Sequence, residues 1–370
     1  MTRKLVFLFI LLLAILSSPA YATLYGTDDI AIMTNLTVWG VNNAIGYKGL
    51  HLLEDRDTIL WAIAGVRGTK LAYFRDENDD DLDTYIRDYD DVSFWSAHLN
   101  WGIGFSQGLI DDPRKKTDLL YFSIFYKGVR EWYYEDRDVF FKGDRADKDG
   151  LLQNSVVLEL AVDSVLNDRE SGMKSGFFTN FTFEYAPNEF FNSYLGDADF
   201  RKYYAQFKFF VPMHEFKEES HFACLYFGNS TMFDYVTGSE IPIYARHHIG
   251  SLTVYGGLGG LVRGYETYRF DSGLKLANRS EIRLLMKKLR LYTMFKGKAF
   301  LRLCAIAFFD MGYYGCLDGA DNGFICSTGA GGLISFMDII SISGYLACPM
   351  AQERLDCKRL VPVLGFSFKF

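Results

Sequence analysis

Apolar and polar residues alternate with a period of two over most of the chain. From Ser93 to Phe105, Trp95, Ala97, Leu99, Trp101, Ile103 and Phe105 are apolar, with Ser96, His98, Asn100 and Gly102 between them. From Asn154 to Ser164, Val156, Leu158, Leu160 and Val162 oppose Ser155, Glu159 and Asp163. Phe177, Phe181, Phe183 and Tyr185 oppose Asn180, Thr182 and Glu184, and Tyr203, Phe207, Phe209 and Val211 oppose Lys202, Gln206 and Lys208. This is the period of a β-strand with one apolar face. The runs are about ten residues or longer, which suits tilted strands crossing a membrane better than the short strands of soluble sheets. Strands are predicted near 28–38, 44–53, 58–74, 92–106, 118–133, 153–166, 174–187, 199–212, 221–235, 277–287, 297–312, 324–336, 339–348 and 360–370. The predicted fold class is therefore all-β, a single transmembrane antiparallel β-barrel. Its strand number is expected to be even, fourteen as counted and roughly twelve to sixteen once the weaker first strands are weighed.

The N-terminus follows another pattern. Arg3 and Lys4 precede an apolar run from Leu5 to Leu16, and Ala20-Tyr21-Ala22 supplies small residues where signal peptidase needs them. Residues 1–22 read as a Sec-type signal peptide whose apolar centre is too short to stay as a spanning helix. The rest, 23–370, reads as one domain without a longer repeat or linker. It has no second apolar stretch of the roughly 18 to 20 residues a spanning helix needs, so a membrane protein of this sequence must be a closed barrel. Composition agrees. Aromatics reach 17%, with 33 Phe and 24 Tyr against 7 Pro, and barrels place aromatics in girdles at both membrane interfaces. A net charge of -7 argues against a nucleic-acid partner, which wants a basic face. The run Asp76-Glu77-Asn78-Asp79-Asp80-Asp81 reads as a solvated loop, because it lacks the glycine and flanking helices of a calcium loop. The chain ends with Phe366, Phe368 and Phe370 alternating with Gly365, Ser367 and Lys369, a terminal strand of the kind the barrel assembly machinery reads.

One stretch breaks the rhythm. Residues 237–275 are Gly-rich and irregular, too long for a passive connection, and contain Val262-Arg263-Gly264-Tyr265. The next strand carries Asn278, Glu281 and Arg283, and the one after it Phe308, Asp310 and Gly312. This ordered set resembles the BamA, TamA and two-partner-secretion transporter superfamily, the bacterial surface antigen barrel, most closely over 250–370. The resemblance implies a loop folded into the lumen, with Val262, Arg263, Gly264 and Tyr265 as the motif at its tip. It implies Glu281, Arg283, Phe308, Asp310 and Gly312 as the barrel-wall partners. Physical chemistry agrees, since an arginine in a confined wet lumen stays charged and a wall carboxylate pins it. Members of that superfamily that insert or secrete proteins carry N-terminal POTRA modules. Here strand-like alternation starts directly after Ala22, so a barrel-only branch is expected.

The six cysteines show no zinc spacing, and no cofactor, metal or catalytic set is expected. Export permits disulfides. Cys316 with Cys326, and Cys348 with Cys357, each flank a turn-rich loop on the same outer side and are expected to pair. Cys224 and Cys304 lie within strands and read as lone packed thiols. His98 shares a polar face with Asn100 and reads as a lumen histidine hydrogen-bonded to its neighbours, and His247-His248 as solvated. No Gly-x-Ser-x-Gly elbow appears, so an enzyme is not expected. Three readings stay open: a barrel acting in protein or lipid translocation or outer-membrane assembly, a passive porin-like channel, and a lipase-like outer-membrane enzyme. The expected partners are the lipid bilayer and lipopolysaccharide, the barrel assembly machinery and a possible protein or lipid client. The expected location is the outer membrane of a Gram-negative cell.

Overall fold

Each of the alternating runs is a strand in the computed structural model, which describes residues 20–25, 30–37, 40–50, 52–53, 56–72, 93–115, 118–134, 147, 150–168, 171–254, 256–267, 270, 272–290, 300–315, 322–337, 340–351 and 360–368. Seventeen strand segments share one sheet. They are β1 (Ala20–Tyr25), β2 (Ile30–Thr37), β3 (Gly40–Leu50), β4 (Thr58–Ala72), β5 (Ser93–Asp111), β6 (Asp118–Tyr134), β7 (Leu151–Asp163), β8 (Leu166–Asn167) and β9 (Lys174–Ala186). There follow β10 (Asp199–Glu215), β11 (Phe222–Glu240), β12 (Leu274–Met286), β13 (Leu289–Arg290), β14 (Phe300–Gly315), β15 (Gly323–Phe336), β16 (Ile340–Ala351) and β17 (Val361–Phe368). β8 and β13 are two-residue extensions that pair beside β7 and β12 on the same neighbours, so fifteen are full strands. Among the described residues, every ladder between full strands is antiparallel and joins neighbours in the chain, from β1–β2 to β16–β17. The two ends, β1 and β17, approach within 8 Å between Cα atoms.

Fourteen of the fifteen strands answer the predicted ones in order. The extra strand is β1, which makes the number among the described residues odd rather than the expected even one. Its first residues, Ala20, Tyr21 and Ala22, belong to the stretch assigned to the signal peptide, yet they pair in register with Leu36, Asn35 and Thr34 of β2.

The pleat sorts the side chains. Outward positions carry Leu99, Ile103, Leu160, Phe177, Phe181, Phe207, Ile282, Phe309 and Leu346, all exposed. Inward positions carry Ser155, Glu184, Lys202, Asp234, Lys275 and Asp310, all buried. The apolar face thus points away from the interior, the reverse of a soluble protein, and suits hydrocarbon. No helix among the described residues is long and apolar enough to cross a membrane.

The irregular stretch is residues 241–273, shorter than the expected 237–275 because β11 runs on to Glu240 and β12 starts at Leu274. It holds two single-turn helices, Ile243–His247 and Leu258–Leu261. This segment touches strands from β5 to β16. Tyr244 stacks on His98 of β5 at 5.3 Å between centroids, Ser251 meets Lys127 of β6 and Glu184 of β9, and the Gly264 position lies against Ala347 of β16. One loop reaches so many strands only because the sheet curls around it. Leu258, Leu261 and Val262 pack there on Met232, Ala277 and Ile325 from the wall.

The cysteines differ from expectation at one bridge. Cys326 is a free, buried thiol, and the ladder places it inside β15 opposite Met311 rather than in the loop that precedes the strand. Cys316 and Cys357 lie outside the described residues. Cys348 is not among the free thiols, so its pairing with Cys357 stays a proposal. Cys224 and Cys304 are free and buried, as expected for packed thiols. Phe366 and Phe368 fall in β17, and Phe370 lies outside the described residues.

Candidate functional site: a loop clamped inside the sheet

Arg263 sits at the inner end of the loop, just after the Leu258–Leu261 turn. Its guanidinium meets Asp310 of β14 in a bidentate pair, Nε to Oδ2 at 2.7 Å and Nη2 to Oδ1 at 2.8 Å, while its backbone N–H donates to the same carboxylate at 3.1 Å. Nη1 makes an ion pair with Glu281 of β12 at 2.8 Å. The plane of the cation stacks on Phe308 at 3.6 Å from the ring centroid and lies 4.9 Å from Tyr345. Both charges are nearly sealed, with side-chain exposures of 3% for Arg263 and 0% for Asp310. Fork-to-carboxylate geometry is the strongest form such a pair takes, and removing one partner of a buried pair typically costs about 3–5 kcal/mol.

Two glycines make room for this arrangement. Gly264 has φ +100°, and a Cβ there would lie 3.2 Å from Ala347 Cβ and 3.3 Å from Pro349 Cδ. Gly312 lets the loop approach the wall, since a Cβ there would lie 2.9 Å from Val262 Cγ2. Tyr265 donates to the Cys326 carbonyl at 3.4 Å. Arg283 donates to Glu281 at 2.7 Å. The structure thus brings Val262, Arg263, Gly264, Tyr265, Glu281, Arg283, Phe308, Asp310 and Gly312 into one place.

A third arginine stands beside them. Arg279 is directly opposite Asp310 in the β12–β14 ladder, yet it approaches Asp310 and Glu281 only to 3.9 Å. Its Nε has no hydrogen-bond partner among the described residues. Arg263, Arg279 and Arg283 therefore share two carboxylates. With the loop docked this cluster holds one surplus positive charge, and with the loop gone its charges balance.

A second anchor lies nearer the start of the loop, and the sequence reading missed it. Lys202 of β10 donates to the carbonyls of Ala245 at 3.3 Å and His248 at 2.6 Å. Asp234 of β11 accepts from the Gly250 N–H at 2.8 Å and pairs with Lys202 at 3.2 Å. Lys275 of β12 caps the Arg246 carbonyl and lies 3.6 Å from Asp234. On the neighbouring strand β9, directly opposite Lys202 in the ladder, Glu184 accepts from Ser251 at 2.5 Å, Ser155 at 2.7 Å and Lys127 at 3.1 Å. Lys202 and Glu184 were legible as inward polar residues. Their grip on the loop's backbone was not, because backbone carbonyls carry no sequence signature.

His247 and His248 are buried, not solvated as expected, because the loop segment that carries them is packed inside the sheet. Burial, and then the nearby Arg67 cation, hold the His248 imidazole well below the ordinary histidine range. Neutral His248 donates from Nδ1 to the Tyr244 carbonyl at 3.0 Å. His98 is hydrogen-bonded to its cross-strand neighbour Glu131, which also accepts from Tyr133, as expected of a lumen histidine.

Among solved structures, the chain is similar to the crystal structure of BamA from Haemophilus ducreyi lacking POTRA domains 1–3, with a TM-score of 0.54 and 9% identity. The match covers 91% of this chain and 64% of that one, so the chain spans somewhat under two thirds of its length. No protein-family profile and no curated protein matches the sequence. The fold is that of a BamA-like β-barrel; at this identity the likeness concerns the fold alone.

Substitutions at the clamp should have opposite signs. Arg263→Ala and Asp310→Ala should each loosen the loop, measured as faster hydrogen exchange over 241–273, and the double variant should cost less than the two losses added. Arg279→Gln should slow that exchange, because it removes the surplus charge in the docked state and unbalances the undocked one. Faster exchange in Arg279→Gln would contradict the charge count.

Docking should also weaken in acid. A base whose protonation constant is depressed in the docked state leaves docking strongest above about pH 6.5, the free histidine value. Below it the undocked loop takes up a proton that the docked loop refuses, at a cost of up to about 1.4 kcal/mol per pH unit. Protection factors over the loop, corrected for the intrinsic pH dependence of amide exchange, should therefore fall between pH 7.5 and 5.5 in protein reconstituted in lipid vesicles, and His248→Gln should flatten that dependence.

Proposed function

We propose that this chain is an outer-membrane β-barrel acting in protein or lipid translocation or in outer-membrane assembly, and that it is not an enzyme. The carrying observation is the Arg263 clamp, bidentate to Asp310 and paired with Glu281, inside a BamA-like fold. A buried, preorganised cation on a long loop is an expensive way to connect two strands, and it makes sense as a lumen element that must be held in one position. The apolar outward face supports residence in a bilayer. Export is assigned to a Sec signal peptide over 1–22, with cleavage after Ala22 removing half of β1 and leaving the fourteen other full strands. In this reading the chain meets the bilayer and lipopolysaccharide, the barrel assembly machinery that inserts it, and a protein or lipid client.

A passive porin is the second reading, favoured by the mixed charges on the inward face. The docked loop counts against it, since a porin needs an open lumen. Depletion of the chain in its native cell, followed by quantitation of outer-membrane proteins and lipids, separates the readings. The proposal expects a selective fall in a subset of barrels or in one lipid class. Unchanged membranes, together with steady open-channel conductance of the purified protein in planar bilayers, would favour the porin.

A further inference from the structure

The connection between β9 and β10 ends in two aromatic rings that nothing covers. It runs through Pro187 and a 3-10 turn, Asn188–Phe190, and Phe191 follows with φ 62° and ψ 18°, a left-handed conformation that is strained for a bulky residue. Phe191 is 78% exposed and Tyr194 82%.

The turn is held rigidly against the edge of β7, beyond Val156, where the pairing of β7 with β9 ends. The Asn192 amide donates to the carbonyls of Asn154 at 2.9 Å and Pro187 at 2.8 Å, and its oxygen accepts from the Asn154 N–H at 2.5 Å. The Asn154 side chain donates to the Phe190 carbonyl at 2.9 Å and accepts from the Tyr126 hydroxyl at 2.8 Å. Asn154 shares the outward face of β7 with Val156, Leu158 and Leu160, yet it is only 5% exposed, because the turn lies over it. The strain at Phe191 persists because these amide bonds over-determine the backbone.

Its level along the strands is informative. On β9 and β10 the outward face runs Phe181, Phe183 and Phe207, and then meets Tyr185, with the Arg201 guanidinium 5.7 Å above its ring. Three residues beyond Tyr185 the turn begins. Here the outward face changes from phenylalanines to a tyrosine and a charged residue, as at a bilayer boundary, where amphipathic rings settle at headgroup level.

We propose that the turn over 187–198 is an interfacial membrane anchor, with the Phe191 and Tyr194 rings seated at the headgroup boundary of a lipid surface. It rests on the reading of the chain as a membrane barrel. Holding the rings rigidly at that level fixes the height of the β7–β9–β10 wall, and β9 and β10 supply Glu184 and Lys202 to the loop.

Bimane attached to Phe191→Cys or Tyr194→Cys tests this in dioleoylphosphatidylcholine vesicles carrying either a headgroup nitroxide or a deep-chain nitroxide. The unlabelled-site parent corrects for native thiols, and Leu160→Cys in the apolar belt is the control. The headgroup nitroxide should quench positions 191 and 194 roughly twofold more than the deep one, while Leu160→Cys should show the reverse. Quenching of 191 and 194 by aqueous iodide alone, with Leu160→Cys still quenched by the deep nitroxide, would overturn the anchor and leave the barrel standing. No lipid quenching at any of the three positions would overturn the barrel reading and the anchor with it.

Discussion

Hydrocarbon leaves no water to satisfy a backbone N–H or C=O, and each unpaired group there costs several kcal/mol. A chain that must lie in such a medium without long apolar helices has to pair its backbone groups strand to strand. Much else in this structure follows from that. Consecutive strands pair antiparallel, the sheet curls, and the pleat sends apolar side chains outward and polar ones inward. The inward face then poses its own problem, since Glu184, Lys202, Asp234, Lys275 and Asp310 are all buried. The loop over 241–273 answers it by bringing carbonyls, N–H groups and one arginine to those wall charges.

The loop is held at two places of different chemistry. Near its start the wall supplies charges and the loop supplies backbone, with Lys202 and Lys275 on carbonyls and Asp234 on an N–H. At its inner end the loop supplies the charge and the wall supplies Asp310, Glu281 and the face of Phe308. The inner grip is strong, but Arg279 opposes it with a like charge on the wall. Such an arrangement holds a loop firmly while lowering the cost of releasing it, since Arg279 stands ready beside the vacated carboxylates.

Much of this was legible in the residues, for identifiable reasons. Period-two alternation is imposed by the pleat itself, so fourteen strands could be read in order. The Arg263, Glu281 and Asp310 group was legible because three short motifs come in a fixed order around one loop. β1 was missed because Ala20–Tyr25 does not alternate and adjoins an apolar leader-like run. The Cys316–Cys326 pairing failed because spacing alone does not reveal register, and the ladder sets Cys326 opposite Met311. The histidines were misjudged because a loop in a polar sequence context looks solvated until its packing is known. The anchor of Lys202, Asp234 and Lys275 lies on three consecutive strands, but its targets are backbone atoms, which the sequence does not mark.

The central claim is that the loop lies docked inside the sheet, with Ser251 beside the wall of β7 and β9. Ser155 and Ser251 both donate to the Glu184 carboxylate, so their side chains meet across one acceptor. A Ser155→Cys, Ser251→Cys pair in intact membranes, treated with a short bifunctional thiol reagent, measures this most directly. The account predicts efficient cross-linking, seen as a mobility shift on denaturing gels that is absent from either single variant. Two thiols that each label readily yet never join would contradict it.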